Sequence, residues 1–173
     1  DGILDKDKIS IEPEKLIERT LGTNSSTMLF QVMEDLQMQA GNKVQGIIDY
    51  DLWIKWSRED IEDIQLKGST PERMKKLEQN LVRMNESIYW ATVQIPLIKK
   101  CSGDLLEAAK KKSNLSEPFE AQLRKLITNI ESYQLMSSMI MTKNGDIYSK
   151  ALQECKNIFF ANGGTLSDIF DSV

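Results

Sequence analysis

The chain contains no histidine. Histidine is the usual general base at neutral pH, the commonest zinc and iron ligand and the usual activator of a catalytic Ser or Cys, so its absence removes most routes to hydrolytic and metal chemistry. Carboxylate-bridged di-iron bundles need Glu-x-x-His pairs on facing helices, and none exists here. Cysteine is almost as scarce: Cys101 and Cys155 are the only two, too few for a disulfide framework and too far apart for a CxxC motif. Four prolines and nine glycines in 173 residues exclude a fibrous or low-complexity chain. Positive charge is not in excess either. Lys and Arg total 22 against 26 Asp and Glu, a net charge of -4, which argues against a nucleic-acid partner because phosphate-backbone binding is carried by Lys and Arg. No apolar run approaches the ~18 residues of a bilayer-spanning helix, so a soluble, not membrane-spanning protein is expected. No motif for a cofactor is present.

What the sequence does have is helical periodicity. Between Ser69 and Lys100, the residues Met74, Leu77, Leu81, Met84, Ile88, Ala91, Ile95 and Ile98 alternate spacings of three and four, which keeps them on one side of a helix. A helix of about thirty residues is roughly 45 Å long. It must run as a spine through the domain, beside partners of similar length. Thr27 to Lys67 repeats the pattern, with weak points at Ala40-Gly41-Asn42 and Gly46, where a bend is expected because Gly disfavours helix by up to about 1 kcal/mol against Ala. Glu117 to Thr142 carries the third stripe through Phe119, Leu123, Leu126, Ile130, Tyr133 and Ser137.

Punctuation suggests where these helices stop. Gly68 closes the second long segment, and Ser69 with Glu72 forms a capping box for the spine. Pro96 takes away a backbone donor and crowds the Thr92 carbonyl, so a kink or early end is expected there. Lys99 to Gly103 then reads as a helix exit, Asp104 with Glu107 opens a short helix as far as Lys112, and Ser116 caps the next. Asn144-Gly145 is a strong turn signal, which predicts a fourth, moderate helix from Ile147 to Phe159 ended by Asn162-Gly163-Gly164. Residues 1–9 read as a flexible N-terminal arm, followed by a short helix opened by Ser10 and Pro13. Thr165 to Val173 adds at most one further turn. The fold class is therefore all-α: an elongated antiparallel helical bundle of three long helices, one moderate helix and short accessory helices, forming a single domain over residues 10–173.

Candidate functional residues fall into five groups. Trp53, Trp56 and Trp90 carry large apolar area and lie beside the core stripes, where they either widen the core or form a partner-binding patch. Lys99, Lys100, Lys110, Lys111 and Lys112 gather around one inter-helix turn and could meet an acidic partner. Met136, Met139 and Met141 are pliant core filling or an adaptable surface. Glu59, Asp60, Glu62 and Asp63 could hold Mg²⁺ for a phosphate or diphosphate substrate if a second acidic patch, drawn from Glu14, Glu18, Glu34 and Asp35, faced them. Cys101 and Cys155 form a candidate disulfide or are two buried thiols, which their spacing does not decide. Together with Asn-X-Ser sequons at Asn24, Asn85 and Asn114, that disulfide would favour an extracytoplasmic setting, periplasmic or secreted, over a cytoplasmic one.

The missing residue types and the extended helices favour a non-enzymatic interaction or structural module that binds a protein partner or itself. A Mg²⁺-dependent all-α enzyme is the alternative. The stripes make one sharp prediction for the fold: Leu81→Asp and Ile130→Asp each place an unpaired charge in the core and should abolish cooperative melting followed by circular dichroism. Retention of the melt in both variants would disprove the bundle.

Overall fold

The computed structural model describes residues 12–23 and 25–165. Six α-helices and one π-turn follow in order: α1 (Pro13–Gly22), α2 (Ser26–Ile48), α3 (Tyr50–Lys67), α4 (Pro71–Tyr89), the π-turn Trp90–Gln94, α5 (Ile95–Lys112) and α6 (Glu117–Ala161). No strand occurs among the described residues. The expected arm over residues 1–9, the helix start at Ser10, the sequon at Asn24 and residues 166–173 of the last expected turn lie outside the described residues.

The helices join end to end into three long rods. α2 and α3 make the first, interrupted only at Asp49, where the backbone leaves helical geometry (φ -85°, ψ 9°). α4, the π-turn and α5 make the second without a break. α6 alone is the third, 45 residues and so about 68 Å long. Tyr133 of α6 lies against Gly41 of α2, and Tyr148 of α6 stacks on Tyr50 of α3. Residue numbers thus rise together along the first and third rods, which run parallel. The second rod is antiparallel to both, since Lys99 reaches Gln134 while Cys155 reaches Leu77. α1 folds back along α5 and α2.

Two apolar clusters fill the space between the rods. One holds Leu29, Met33, Leu36, Val44, Ile98, Leu105, Leu123 and Ile130, with Leu16 of α1 sealing it. The other holds Tyr50, Ile54, Ile61, Leu77, Leu81, Met84, Leu152 and Phe159. Ile140 and Met141 touch both. Each fully buried aliphatic side chain contributes roughly 1.5–3 kcal/mol, whereas the ion pairs are surface contacts such as Lys100–Asp104 and Arg124–Glu120, worth at most about 1 kcal/mol each. Burial holds the bundle together.

The all-α bundle with long helices is as the sequence indicates, but several boundaries move. Asn144-Gly145 makes no turn: α6 passes through it, and the helix expected over Ile147 to Phe159 is its second half. The local preference is worth about 1 kcal/mol. Against it, the positions Ser137, Met141, Tyr148, Leu152, Cys155 and Phe159 keep one face turned to the two other rods on both sides of the Asn-Gly pair. Gly103 is likewise absorbed into α5, which buries Cys101, Leu105 and Ala109 on either side of it. The first rod breaks at Asp49 instead of at its glycines. Gly41 serves a different purpose, since a Cβ there would sit 3.1 Å from the Tyr133 ring, so the small residue sets how closely α2 and α6 approach. The spine is capped by Thr70, whose hydroxyl accepts from the Arg73 N–H, one residue later than the expected Ser69. Gly68 and Ser116 act where expected, Gly68 with φ +88° and Ser116 as the N-cap of α6, while Ser25 caps α2, which begins at Ser26, one residue before the expected Thr27.

Pro96 does disturb the spine, in a form that lets the helix continue. The widened turn just before it places the Ile95 N–H on the Trp90 carbonyl, an i to i+5 bond, so the backbone is already opened where the proline ring would press on the turn behind it. Val93 is, with Thr92, one of the two exposed residues of that turn. Its deletion would return the segment to α geometry with both core faces still in phase, and would restore the proline clash. We expect ΔVal93 to destabilise the protein by about 3 kcal/mol, and Pro96→Ala in the deletion background to recover most of that loss in urea melts. Equal stability of the deletion and its parent would show that the turn does not serve the proline.

Candidate partner-binding site

The helix break at Asp49 creates the most distinctive surface of the molecule. Near it the Gly46 carbonyl accepts the indole N–H of Trp53 at 2.9 Å, so an amphipathic side chain from the start of α3 ties down the last turn of α2. Trp56, one turn further along α3, meets Trp53 edge-on with ring centroids 5.4 Å apart. Arg83 of α4 then covers both: its guanidinium lies 4.9 Å from the Trp53 ring centroid and 5.8 Å from that of Trp56. Trp56 remains 37% exposed. Nearby, Lys43 of α2 bonds to Glu86 of α4 at 2.6 Å and sits 5.3 Å from the Trp90 ring centroid. Lys43, Gly46, Trp53, Arg83, Glu86 and Trp90 line a surface niche of about 180 Å³.

The three tryptophans therefore divide. Trp90 is core, 3% exposed at the start of the π-turn, and its indole N–H has no hydrogen-bond partner. Trp53 is half-buried and structural on one edge, whereas Trp56 presents its ring to solvent. Arg83 and Lys43 complete the site and are absent from the sequence-based candidates. Only the i, i+3 spacing of Trp53 and Trp56 hinted at a common face, and their cationic partners come from other helices.

The lysine run does not form one patch. Lys99 donates to Gln134, Lys100 pairs with Asp104, Lys110 lies 3.9 Å from Glu120, and Lys112 donates to the Leu21 carbonyl. Helix α5 separates Lys99 from Lys110 by about 16 Å along its axis. Lys111 alone extends into solvent without a polar contact among the described residues. Hydrogen bonding to Asp104 raises the Lys100 pKa above its ordinary value, and Arg124 holds the Glu120 carboxyl below its own. These charges are spent on helix ends and neighbours. The cleft of about 440 Å³ between the α1–α2 and α5–α6 connections contains Lys112, but two of its hydroxyls, on Ser25 and Ser116, already cap helices.

The acidic residues are dispersed as well. Asp60 accepts from the Asn80 amide at 2.7 Å, and burial raises its pKa despite the nearby Lys76. Asp63 lies 3.6 Å from Lys67, while Glu59 and Glu62 flank a shallow cleft with Lys55 and Arg58. Glu14 and Glu18 belong to α1, which packs on α5 and α2, and Glu34 and Asp35 lie in the half of α2 that joins the other apolar cluster. The two acidic groups do not face each other. Among the described residues no three Asp, Glu or Cys side chains converge in a way that could hold a metal ion. The Met-rich stretch splits: Met141 packs into both clusters, whereas Met136 and Met139, with Leu135 and Ile147, lie exposed along α6.

Cys101 and Cys155 are free thiols, each buried in a different cluster, and the candidate disulfide is not formed. Cys101 is two residues from Lys99, which meets Gln134, and α6 carries Cys155 about 32 Å further along. A disulfide requires Cα atoms within about 7 Å. The pair therefore carries no information about compartment. No helix among the described residues is long and apolar enough to cross a membrane. No family model, curated protein or solved structure matches the chain.

Burial pushes the Cys101 thiol up to about 11 and the Cys155 thiol up to about 12, so at neutral pH neither forms the thiolate that attacks electrophiles. We expect iodoacetamide to leave the native protein unlabelled at pH 7 and to label both cysteines in denaturant without any reductant. A mass that resists labelling in denaturant would restore the disulfide.

Proposed function

We propose that the protein is a non-enzymatic helical-bundle module that docks a protein partner on the α3–α4 face around Trp56. The observation that carries this reading is the Arg83 guanidinium placed over two indoles, one of them 37% exposed. Trp and Arg dominate the few residues that supply most binding energy at protein interfaces, because they combine large contact area with few lost rotamers and, for Arg, a pre-aligned fork of donors. Holding Arg83 against the two rings lowers the entropy that binding would otherwise cost. The rods support the same reading: a rigid surface on packed helices presents its contact residues in fixed positions. Nucleophilic cysteine chemistry is disfavoured by the two raised thiol pKa values.

The test is a photo-crosslinking amino acid placed at Gln79, an exposed position one turn before Arg83 on α4, in cells of the source organism. A discrete adduct is expected, and Trp56→Ala should weaken the underlying interaction by about tenfold or more, the scale of a hot-spot truncation. Because Trp56→Ala also removes packing on Trp53, binding is compared well below the melting transition of both proteins. Adducts that arise only from Met139 would move the docking face to α6, and an adduct indifferent to Trp56→Ala would overturn the proposal.

A further inference from the structure

The niche beside this surface carries a more specific assignment, which rests on the docking reading above. Its wall charges are two cations and one anion, Lys43, Arg83 and Glu86, and they are unequally engaged. Lys43 and Glu86 neutralise each other through a 2.6 Å contact. Arg83 lies over the faces of Trp53 and Trp56 and makes no ion pair or hydrogen bond among the described residues. A cation–π contact engages the charge of a guanidinium without consuming its N–H donors, and the fork those donors form matches a carboxylate bidentately. The uncompensated charge of the niche is one positive unit.

Size narrows the occupant. Small-molecule sites enclose roughly 300–1,000 Å³, whereas this niche holds about 180 Å³. That is room for one side chain, with the exposed Trp56 ring beside it for an apolar neighbour. We propose that the niche receives the carboxylate of an Asp or Glu side chain from an acidic segment of the partner, clamped by Arg83 and flanked by an apolar residue on Trp56. Lys43 remains bonded to Glu86, and the indoles exclude water from one side of the new ion pair, which strengthens it.

A random dodecapeptide library displayed on phage, selected against the intact protein, tests this directly. Selected peptides should carry an Asp or Glu next to an apolar residue, and replacing that acid by its amide should weaken binding about tenfold, the scale of a lost charge-assisted contact. Arg83→Gln should weaken the acidic peptide to the same degree and leave its amide counterpart unaffected. The charge-reversed Arg83→Glu protein should select basic peptides instead. Arg83 is exposed, so both variants are expected to melt as the parent does. In spectra of the labelled protein the acidic peptide should shift the Trp56 indole signal, and inorganic phosphate at the same concentration should not. Selected peptides without an acid, an unchanged selection against Arg83→Glu, no selected peptide at all, or an equal response to phosphate would each overturn the assignment. Failure here is separable from failure of the docking reading. A crosslink at Gln79 that is lost with Trp56→Ala but retained with Arg83→Gln keeps the docking surface and removes the carboxylate; loss of the crosslink altogether removes both.

Discussion

A helix of 45 residues with an apolar stripe along its whole length cannot be stable by itself, since helix propensity contributes little per residue and the stripe would stand in water. α6 imposes this condition on everything else in the molecule. Two further rods must cover it from end to end, and both must keep their own stripes in phase over the same distance. The second rod meets the condition by continuing through Gly103 and by opening a π-turn ahead of Pro96, and the first by joining α2 to α3 across Asp49. Where that rod breaks, Tyr50 stacks on Tyr148 at 4.0 Å and its hydroxyl donates to the Tyr148 carbonyl at 2.8 Å. Burial raises the Tyr50 pKa well above the ordinary phenol value. The phenol therefore stays a neutral donor, and the bond holds the start of α3 to α6 where the backbone ladder is interrupted.

The irregularities of the first two rods fall close together, and the candidate site is built on them. Gly46, Trp53 and the Asp49 break belong to one rod; Arg83, Glu86, Trp90 and the π-turn belong to the other. Had both rods been ideal helices, the Gly46 carbonyl would have taken a backbone N–H, and the Trp53 indole would have had no reason to lie along the surface. The position of Arg83 follows, because its guanidinium rests on the rings that the indole bond fixes. Departures from helical geometry commonly mark sites of use, and here they create a niche that regular packing would have closed.

Two buried polar groups at the same level remain costly. The Gln94 amide is fully buried with neither its oxygen nor its nitrogen hydrogen-bonded, and the Trp90 indole N–H is also unpartnered. Each such group destabilises the fold by about 1–3 kcal/mol. The π-turn that carries both residues is thus the least favourable part of the spine, held in place by the clusters on either side.

Helical periodicity established the all-α class, the existence of long helices and most of the core, because the three-four spacing of residues such as Leu77, Leu81, Met84, Ile95 and Ile98 has no other geometric solution. The N-cap signal at Ser116 also showed where α6 begins, since its hydroxyl satisfies a donor that a helix start always leaves unpaired. Only the tertiary structure decided that Asn144-Gly145 and Gly103 continue their helices: the energy of a turn signal is local and small, whereas the burial that overrides it depends on rods far away in sequence. The same distance explains the site. Two tryptophans three residues apart were visible along the chain, but Arg83, thirty residues from Trp53, meets them, and Lys43 of another helix meets Trp90, only once the rods lie side by side. The separation of Cys101 from Cys155 was hidden for the same reason, because sequence spacing does not say how far apart two positions lie along neighbouring helices.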